Sequence, residues 1–224
     1  MSLPARVLDT LYQAYGPQHW WPAPTRFEMM VGGILTQNTA WTNVEKALEK
    51  LKSEIPTLEA STLLALPPER LAELIRPSGY FRLKTGRLRA LCQWFVDAGG
   101  FECLDGRTTK ELRHDLLGVY GVGHETADSI LLYGFERPVM VVDAYTRRIF
   151  SRLGAVTPEI GYEPLREWLE AGLGTKDRVS RYNELHALLV RHAKISCRVR
   201  PDCASCVLCD ICAYSGSDEA IPEA

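Results

Sequence analysis

The stretch Leu116-Leu117-Gly118-Val119-Tyr120-Gly121-Val122-Gly123-His124-Glu125-Thr126-Ala127-Asp128 decides how this chain is read. A helix leads into it, Gly121-Val122-Gly123 makes a tight turn, and a second helix is expected from about His124 to Phe135. Two glycines flanking an apolar residue let the backbone reverse sharply and lie close to a partner. The free N–H groups at the start of the second helix point outward and can bind a phosphate. Such a hairpin grips a nucleic-acid backbone without reading bases, the plain alternative being an ordinary helix–helix turn.

The surroundings are helical. Three Thr-x-x-Glu patterns, Thr25–Glu28, Thr42–Glu45 and Thr108–Glu111, have the form of capping boxes. After Thr25 the apolar residues Phe27, Met30, Val31, Ile34 and Leu35 recur at helical spacing. Pro67-Pro68 suits the first turn of a helix through about Ile75, and another is expected from about Lys84 to Ala98, ending at Gly99-Gly100. Val139 to Val142 is β-branched but too short to imply a sheet. Downstream of the hairpin, Val141-Val142-Asp143-Ala144-Tyr145-Thr146-Arg147-Arg148 places Asp143 at the start of a helix running to about Leu153, where a carboxylate can serve as an N-cap.

Composition bounds the function. The chain has 224 residues, 46% hydrophobic and 24% charged, which suits a folded domain or two small lobes. No apolar run approaches the roughly 20 residues needed to span a bilayer, and the start MSLPARVLDT lacks the apolar core of a signal peptide, so a cytoplasmic protein is expected. The net charge of −2 does not advertise nucleic-acid binding, but charge is uneven. Residues 215–224, expected to be a disordered tail, hold three acids and no base. Arg82, Lys84, Arg87 and Arg89 form one basic stretch, and Arg181, Arg191, Lys194, Arg198 and Arg200 a second, each readable as a solvated helix face. Of seven cysteines, five lie within Cys197 to Cys212, which in an intracellular chain argues for metal rather than disulfides. Four thiolates hold zinc or an iron–sulfur cluster.

The Leu-x-x-Val-Tyr-Gly-Val-Gly-x-x-Thr-Ala hairpin followed by Val-Val-Asp resembles the helix–hairpin–helix DNA glycosylases of the endonuclease III superfamily, over about Phe27 to Cys212. The resemblance implies an all-α fold of two helical lobes flanking a cleft. One is a six-helix barrel with the hairpin, 27–137, and the other joins 1–26 to 138–214 and carries an iron–sulfur loop. It implies that the enzyme flips a damaged base out of double-stranded DNA as a monomer and hydrolyses its N-glycosidic bond, with Asp143 as the catalytic carboxylate. Gln37 and Tyr80 would fill the gap left in the duplex; the plain alternatives are a helix-end hydrogen bond and a packed aromatic. Gly121, Val122, Gly123, His124, Arg198 and Arg200 would meet DNA. Cys197-x5-Cys203-x2-Cys206-x5-Cys212 is similar to the family's [4Fe–4S] loop, with the first gap one residue shorter and Cys209 as an extra thiol.

Bifunctional members carry a lysine in the hairpin that forms a Schiff base with the sugar; here Glu125 stands in its place, which argues against a strand-cleaving lyase step. Trp20-Trp21-Pro22 and Trp41 resemble the base pocket of the 3-methyladenine DNA glycosylases, where aromatic faces stack on a cationic N-alkylated purine. The plain alternative for these tryptophans is core packing. The leading expectation is a monofunctional glycosylase for N-alkylated purines. The alternatives are an oxidised-pyrimidine glycosylase with little lyase activity and, in a different class, a non-catalytic binder of DNA structure.

Overall fold

A computed structural model describes residues 1–21, 23–55 and 57–216, and among these there is no β-strand. The helices are α1 (Leu3–Tyr15), α2 (Arg26–Leu35), α3 (Trp41–Glu54), α4 (Ala60–Ala65), α5 (Pro68–Leu74), a 3-10 turn at Arg76–Ser78, α6 (Phe81–Asp97), α7 (Gly100–Leu104), α8 (Thr109–Leu117) and α9 (His124–Ser129). The last of these widens into a π-helical turn at Ile130–Gly134, and α10 (Ala144–Arg152), α11 (Tyr162–Leu173), α12 (Arg178–Ile195) and two 3-10 turns, Cys209–Ile211 and Ala213–Gly216, follow. Ser215 and Gly216 thus belong to a turn rather than to a tail, and 217–224 lie outside the described residues. None of the described helices is long and apolar enough to cross a membrane.

The chain divides into two units, Trp21–Arg137 and the combination of Met1–Trp20 with the chain from Pro138 onward. In the first, α2 is the central element. Every residue from Phe27 to Leu35 is buried, so the helix is enclosed on all sides, which is why its apolar pattern is nearly continuous. Glu28 lies within this run and pairs with Lys52 of α3 at 2.5 Å. Gly32 and Gly33 cost the helix roughly 1 kcal/mol each in propensity. In exchange they let neighbours approach: a Cβ at Gly32 would sit 3.4 Å from the rings of Trp21 and Trp41, and one at Gly33 3.9 Å from Thr126 of α9.

Helix starts follow local chemistry, with three departures from expectation. Thr25 accepts from Glu28 N–H at 3.1 Å, and Thr108 with Glu111 forms a reciprocal capping box. Thr42 does not cap: α3 begins at Trp41 with Ala40 before it, so Thr42 already lies inside the first turn. The other reciprocal box is Glu59 with Thr62 at the start of α4, the same chemistry in reversed order, which a Thr-x-x-Glu search misses. Helix α6 starts three residues earlier than its periodicity suggests, because Tyr80 ahead of it takes a left-handed conformation.

The first basic stretch corrects a reading. Rather than coating a solvated face, three of its bases on α6 point to backbone carbonyls or polar groups inside the unit. Lys84 Nζ donates to Leu35 O at 2.8 Å and Ser78 O at 2.7 Å, Arg89 donates to Leu64 O and Leu66 O, and Arg87 Nη1 donates to Gln37 Oε1 at 2.5 Å. The last carbonyls of a helix have no partner within it, and α6 supplies donors to those ending α2 and α4.

Burial pushes the Lys84 ammonium down to about 8, and the charge of Arg87 adds to this. A lysine lowered on folding binds fewer protons in the native than in the unfolded chain between the two values. The contribution of Lys84 to stability therefore rises with pH from about 8 to about 10.5. The unfolding free energy of wild type minus that of Lys84→Met is expected to grow across this window by roughly 3 kcal/mol, read by urea denaturation at stepped pH.

In the second unit α1 packs on α11 and α12, and α10 packs on α12. Pro4 touches the Gly172 backbone so closely that a Cβ there would lie 2.5 Å from the proline ring. Val139 to Val142 is buried and non-helical, with Met140 N–H donating to Glu170 at 2.9 Å and Val142 N–H to Tyr162 Oη at 3.4 Å.

Candidate functional site

The hairpin lies in the first unit. Val122 is a buried plug between Gly121 and Gly123; Gly121 takes φ +81°, and a Cβ at Gly123 would meet nothing within 4 Å. His124 and Glu125 are exposed in the first turn of α9, where a carboxylate is favoured by the helix dipole. The two hairpin helices are tied by a bidentate ion pair: Arg113 of α8 donates from Nε and Nη2 to the two carboxylate oxygens of Asp128 at 2.6 and 3.0 Å, and Asp128 is wholly buried. His124 Nδ1 lies 3.4 Å from the same guanidinium.

Gln37 joins this hairpin. Its amide nitrogen donates to Gly121 O and Thr126 Oγ1, both at 3.0 Å, and its oxygen accepts from Arg87. Both ends of the side-chain amide are engaged, through three hydrogen bonds. Tyr80 behaves oppositely. It is 69% exposed at φ +45°, which excludes the packed-aromatic reading. Gly121→Ala would force a Cβ to 2.2 Å from Arg87 Cγ at a backbone angle that L-residues resist. We expect it to destabilise the protein by about 1 kcal/mol or more in denaturant melts and to weaken DNA retention in the same preparation.

Three aromatic rings meet in this unit. Trp21 and Trp41 stand edge to face with centroids 4.9 Å apart, and Tyr133 lies 5.3 Å from Trp21. All three are partly exposed. Of the four residues read as a base pocket, the structure brings Trp21 and Trp41 together. Trp20 belongs to the other unit, and Pro22 lies outside the described residues. Tyr133 was not anticipated, since its position follows from the π-turn.

Asp143 lies in the second unit as the N-cap of α10. One carboxylate oxygen accepts from Thr146 N–H at 2.7 Å, and the other lies 3.5 Å from His186 Nε2 of α12. Its side chain is only 11% exposed. Burial alone would raise its carboxyl, but the hydrogen bond and charge of His186, with the N–H and hydroxyl of Thr146, outweigh burial and hold it below the usual carboxylate value. His186 escaped the sequence reading, because forty-odd residues of chain separate it from Asp143 and nothing local marks it.

With these features in place, the comparison with known proteins is direct. The family model for HhH-GPD superfamily base excision DNA repair proteins matches residues 31–173. The chain belongs to this superfamily. It is 44% identical over 210 residues to a protein of Methanocaldococcus jannaschii provisionally described as a DNA repair glycosylase, covering 92% of this chain and 94% of that one. It is 31% identical to the Endonuclease III of Thermotoga maritima over 84% of this chain and 83% of the relative. Among solved structures it is similar to the 3-methyladenine DNA glycosylase MagIII of H. pylori bound to 1,N6-ethenoadenine, at 29% identity and TM-score 0.75 over 85% of this chain and 97% of that one. The HhH-GPD chain is therefore a base-excision DNA glycosylase of all-helical fold.

In this HhH-GPD protein the cysteine loop follows α12. Arg152 of α10 organises it: its guanidinium donates to Cys197 Sγ at 3.3 Å and to the carbonyls of Arg198 and Val199, and its own carbonyl accepts from Cys212 Sγ at 3.3 Å. Arg198 and Arg200 are exposed on that loop. Cys206 Sγ lies 3.6 Å from His192 Nε2. Burial pushes the Cys206 thiol up to about 11, and Cys197, Cys212 and Cys203 add to the shift; burial likewise raises Cys203, helped by Cys212, Cys209 and Cys197. Thiols that discourage one another's ionisation are a donor set that a bound cation relieves. Among the described residues no three His, Cys, Asp or Glu side chains stand in an arrangement that would hold a metal ion as they are.

Proposed function

We propose that this glycosylase is monofunctional and excises N-alkylated purines such as 3-methyladenine. The observation that carries the reading is the Trp21–Trp41–Tyr133 cluster. A cationic purine gains from aromatic faces by cation–π attraction, about 2 kcal/mol when desolvated, and its glycosidic bond is already weakened, so it needs stacking more than a strong acid. The similarity to a 3-methyladenine glycosylase holding an ethenoadenine supports the same class. Glu125 supports hydrolysis without strand cleavage, since a carboxylate cannot form an imine with the sugar aldehyde.

In this mechanism aromatic faces stack on the extruded base, and the role of Asp143, kept anionic, is to stabilise the positive charge that develops on the sugar as the C1′–N bond breaks. A carboxylate lowered in this way is better suited to electrostatic stabilisation, and to orienting water, than to strong proton abstraction. Gln37, Tyr80, Gly121, Val122, Gly123, His124, Arg198 and Arg200 would contact DNA. Cys197, Cys203, Cys206 and Cys212 would hold a [4Fe–4S] cluster, whose part when bound is to hold its loop in shape. Iron and acid-labile sulfide analysis of protein purified without oxygen tests this, and zinc in their place would sink it.

The similarity to the Thermotoga Endonuclease III favours a second reading, an oxidised-pyrimidine glycosylase. The separating experiment incubates methylated duplex DNA and DNA carrying oxidised pyrimidines with the protein. Bases are chromatographed, and strands are examined with and without alkali. Release of 3-methyladenine with breaks only after alkali supports the proposal. Release of oxidised pyrimidines alone moves the assignment to the second reading, and no release from either leaves a binder of DNA structure.

A further inference from the structure

Lys84 is 1% exposed and among the largest wholly buried side chains. A Met of similar length would fill the same space without the cost of burying a charge. The ammonium is held by two carbonyls from segments far apart in sequence, Leu35 O and Ser78 O, at 2.8 and 2.7 Å. Leu35 is the last residue of α2, two before Gln37, and Ser78 closes the 3-10 turn two residues before Tyr80. One turn further along α6, on the same face, Arg87 donates to Gln37, which in turn donates to Gly121 of the hairpin. Tyr80 is a bulky residue at a left-handed φ of +45°, a conformation that persists only where its surroundings hold it. One face of α6 therefore meets the ends of three segments, each carrying a residue read above as entering or gripping DNA.

We propose that Lys84 is a positioning residue: by binding the carbonyls two residues ahead of Gln37 and Tyr80, it fixes the spacing of the two side chains that fill the gap left by an extruded base. It rests on the reading of Gln37 and Tyr80 as gap fillers. Lys84 itself touches no DNA. Its bonds hold the Tyr80 turn out against the strain at that residue, and hold the end of α2 so that Gln37 stands over the hairpin.

The test needs neither the lesion nor turnover. Binding is measured at one salt concentration to a duplex with a single tetrahydrofuran abasic analogue and to the same duplex intact. The abasic duplex offers a gap to be filled and the intact one does not. Wild type is expected to prefer the abasic duplex by about tenfold or more, and Lys84→Met to lose most of that preference while its affinity for intact duplex changes less than about twofold. Tyr80→Ala and Gln37→Ala are expected to lose it too, and Lys84→Met added to Tyr80→Ala to change little further. A merely structural lysine would weaken both duplexes alike or leave the preference intact, and either result overturns the proposal. If Tyr80→Ala and Gln37→Ala keep the full preference, the gap-filling reading falls and the proposal with it; if they lose it while Lys84→Met keeps it, the proposal alone falls. Should Lys84→Met fail to fold by circular dichroism, Lys84→Gln is measured instead. It removes the charge and shortens the reach to the two carbonyls, and an unchanged preference in that variant is equally fatal.

Discussion

Asp143→Asn is expected to lower base release by about 10³-fold while leaving the melting curve close to wild type. Two roles meet on this side chain, and the substitution separates them. As the N-cap of α10, Asp143 accepts from Thr146 N–H at 2.7 Å, and an Asn oxygen accepts there equally well. As an anion buried beside His186, it is the negative charge proposed to face the oxocarbenium-like sugar, and Asn carries none. Asp143→Ala removes both, so it should add a stability loss of about 1 kcal/mol that the Asn variant lacks. Single-turnover release and denaturant melts on the two variants read this out. Turnover within a few fold of wild type in Asp143→Asn would remove the carboxylate from the mechanism. The sign of the pH effect is also fixed. A carboxyl lowered on folding contributes stability above its unfolded value and loses it as pH falls through the folded one, so wild type should fall relative to Asp143→Asn only in acid.

Asp128→Ala is expected to cost about 3–5 kcal/mol, because it strips the bidentate partner from the Arg113 guanidinium and leaves a cation that is only 18% exposed. The loss falls on the pair of helices that carry the hairpin, so DNA retention should fall with stability. The double variant Arg113→Met/Asp128→Leu, which replaces the pair by apolar groups, is expected to recover most of the stability. A loss below about 1 kcal/mol in Asp128→Ala would mean that water already serves the pair. Urea melts of the single and double variants measure the cycle.

Much of the fold was legible in the sequence, for identifiable reasons. The burial of Phe27, Met30, Val31, Ile34 and Leu35 followed from their spacing, and Asp143 opening α10 followed from its place between an apolar run and a helical pattern. The hairpin was legible because a glycine at φ +81° leaves few other residues that fit. What was not legible depends on where side chains end in space. Lys84, Arg87 and Arg89 look like a solvated basic face in one dimension, yet in three Lys84 and Arg89 meet carbonyls at the ends of α2 and α4, and Arg87 meets the side-chain oxygen of Gln37. The contact of His186 with Asp143 joins two helices that share no local pattern, and Tyr133 turns toward Trp21 from a π-turn that periodicity does not announce.

The discontinuity of the second unit has a consequence for how the chain is made. Helix α1 is translated well before the helices that pack on it, α11 and α12. Trp21–Arg137 is continuous in sequence and can begin to pack as it leaves the ribosome. Meanwhile Val7, Leu8 and Leu11, buried in the finished protein, belong to a helix whose packing partners α11 and α12 have yet to emerge. The nascent chain thus carries an amphipathic helix whose apolar face is covered only by helices made much later.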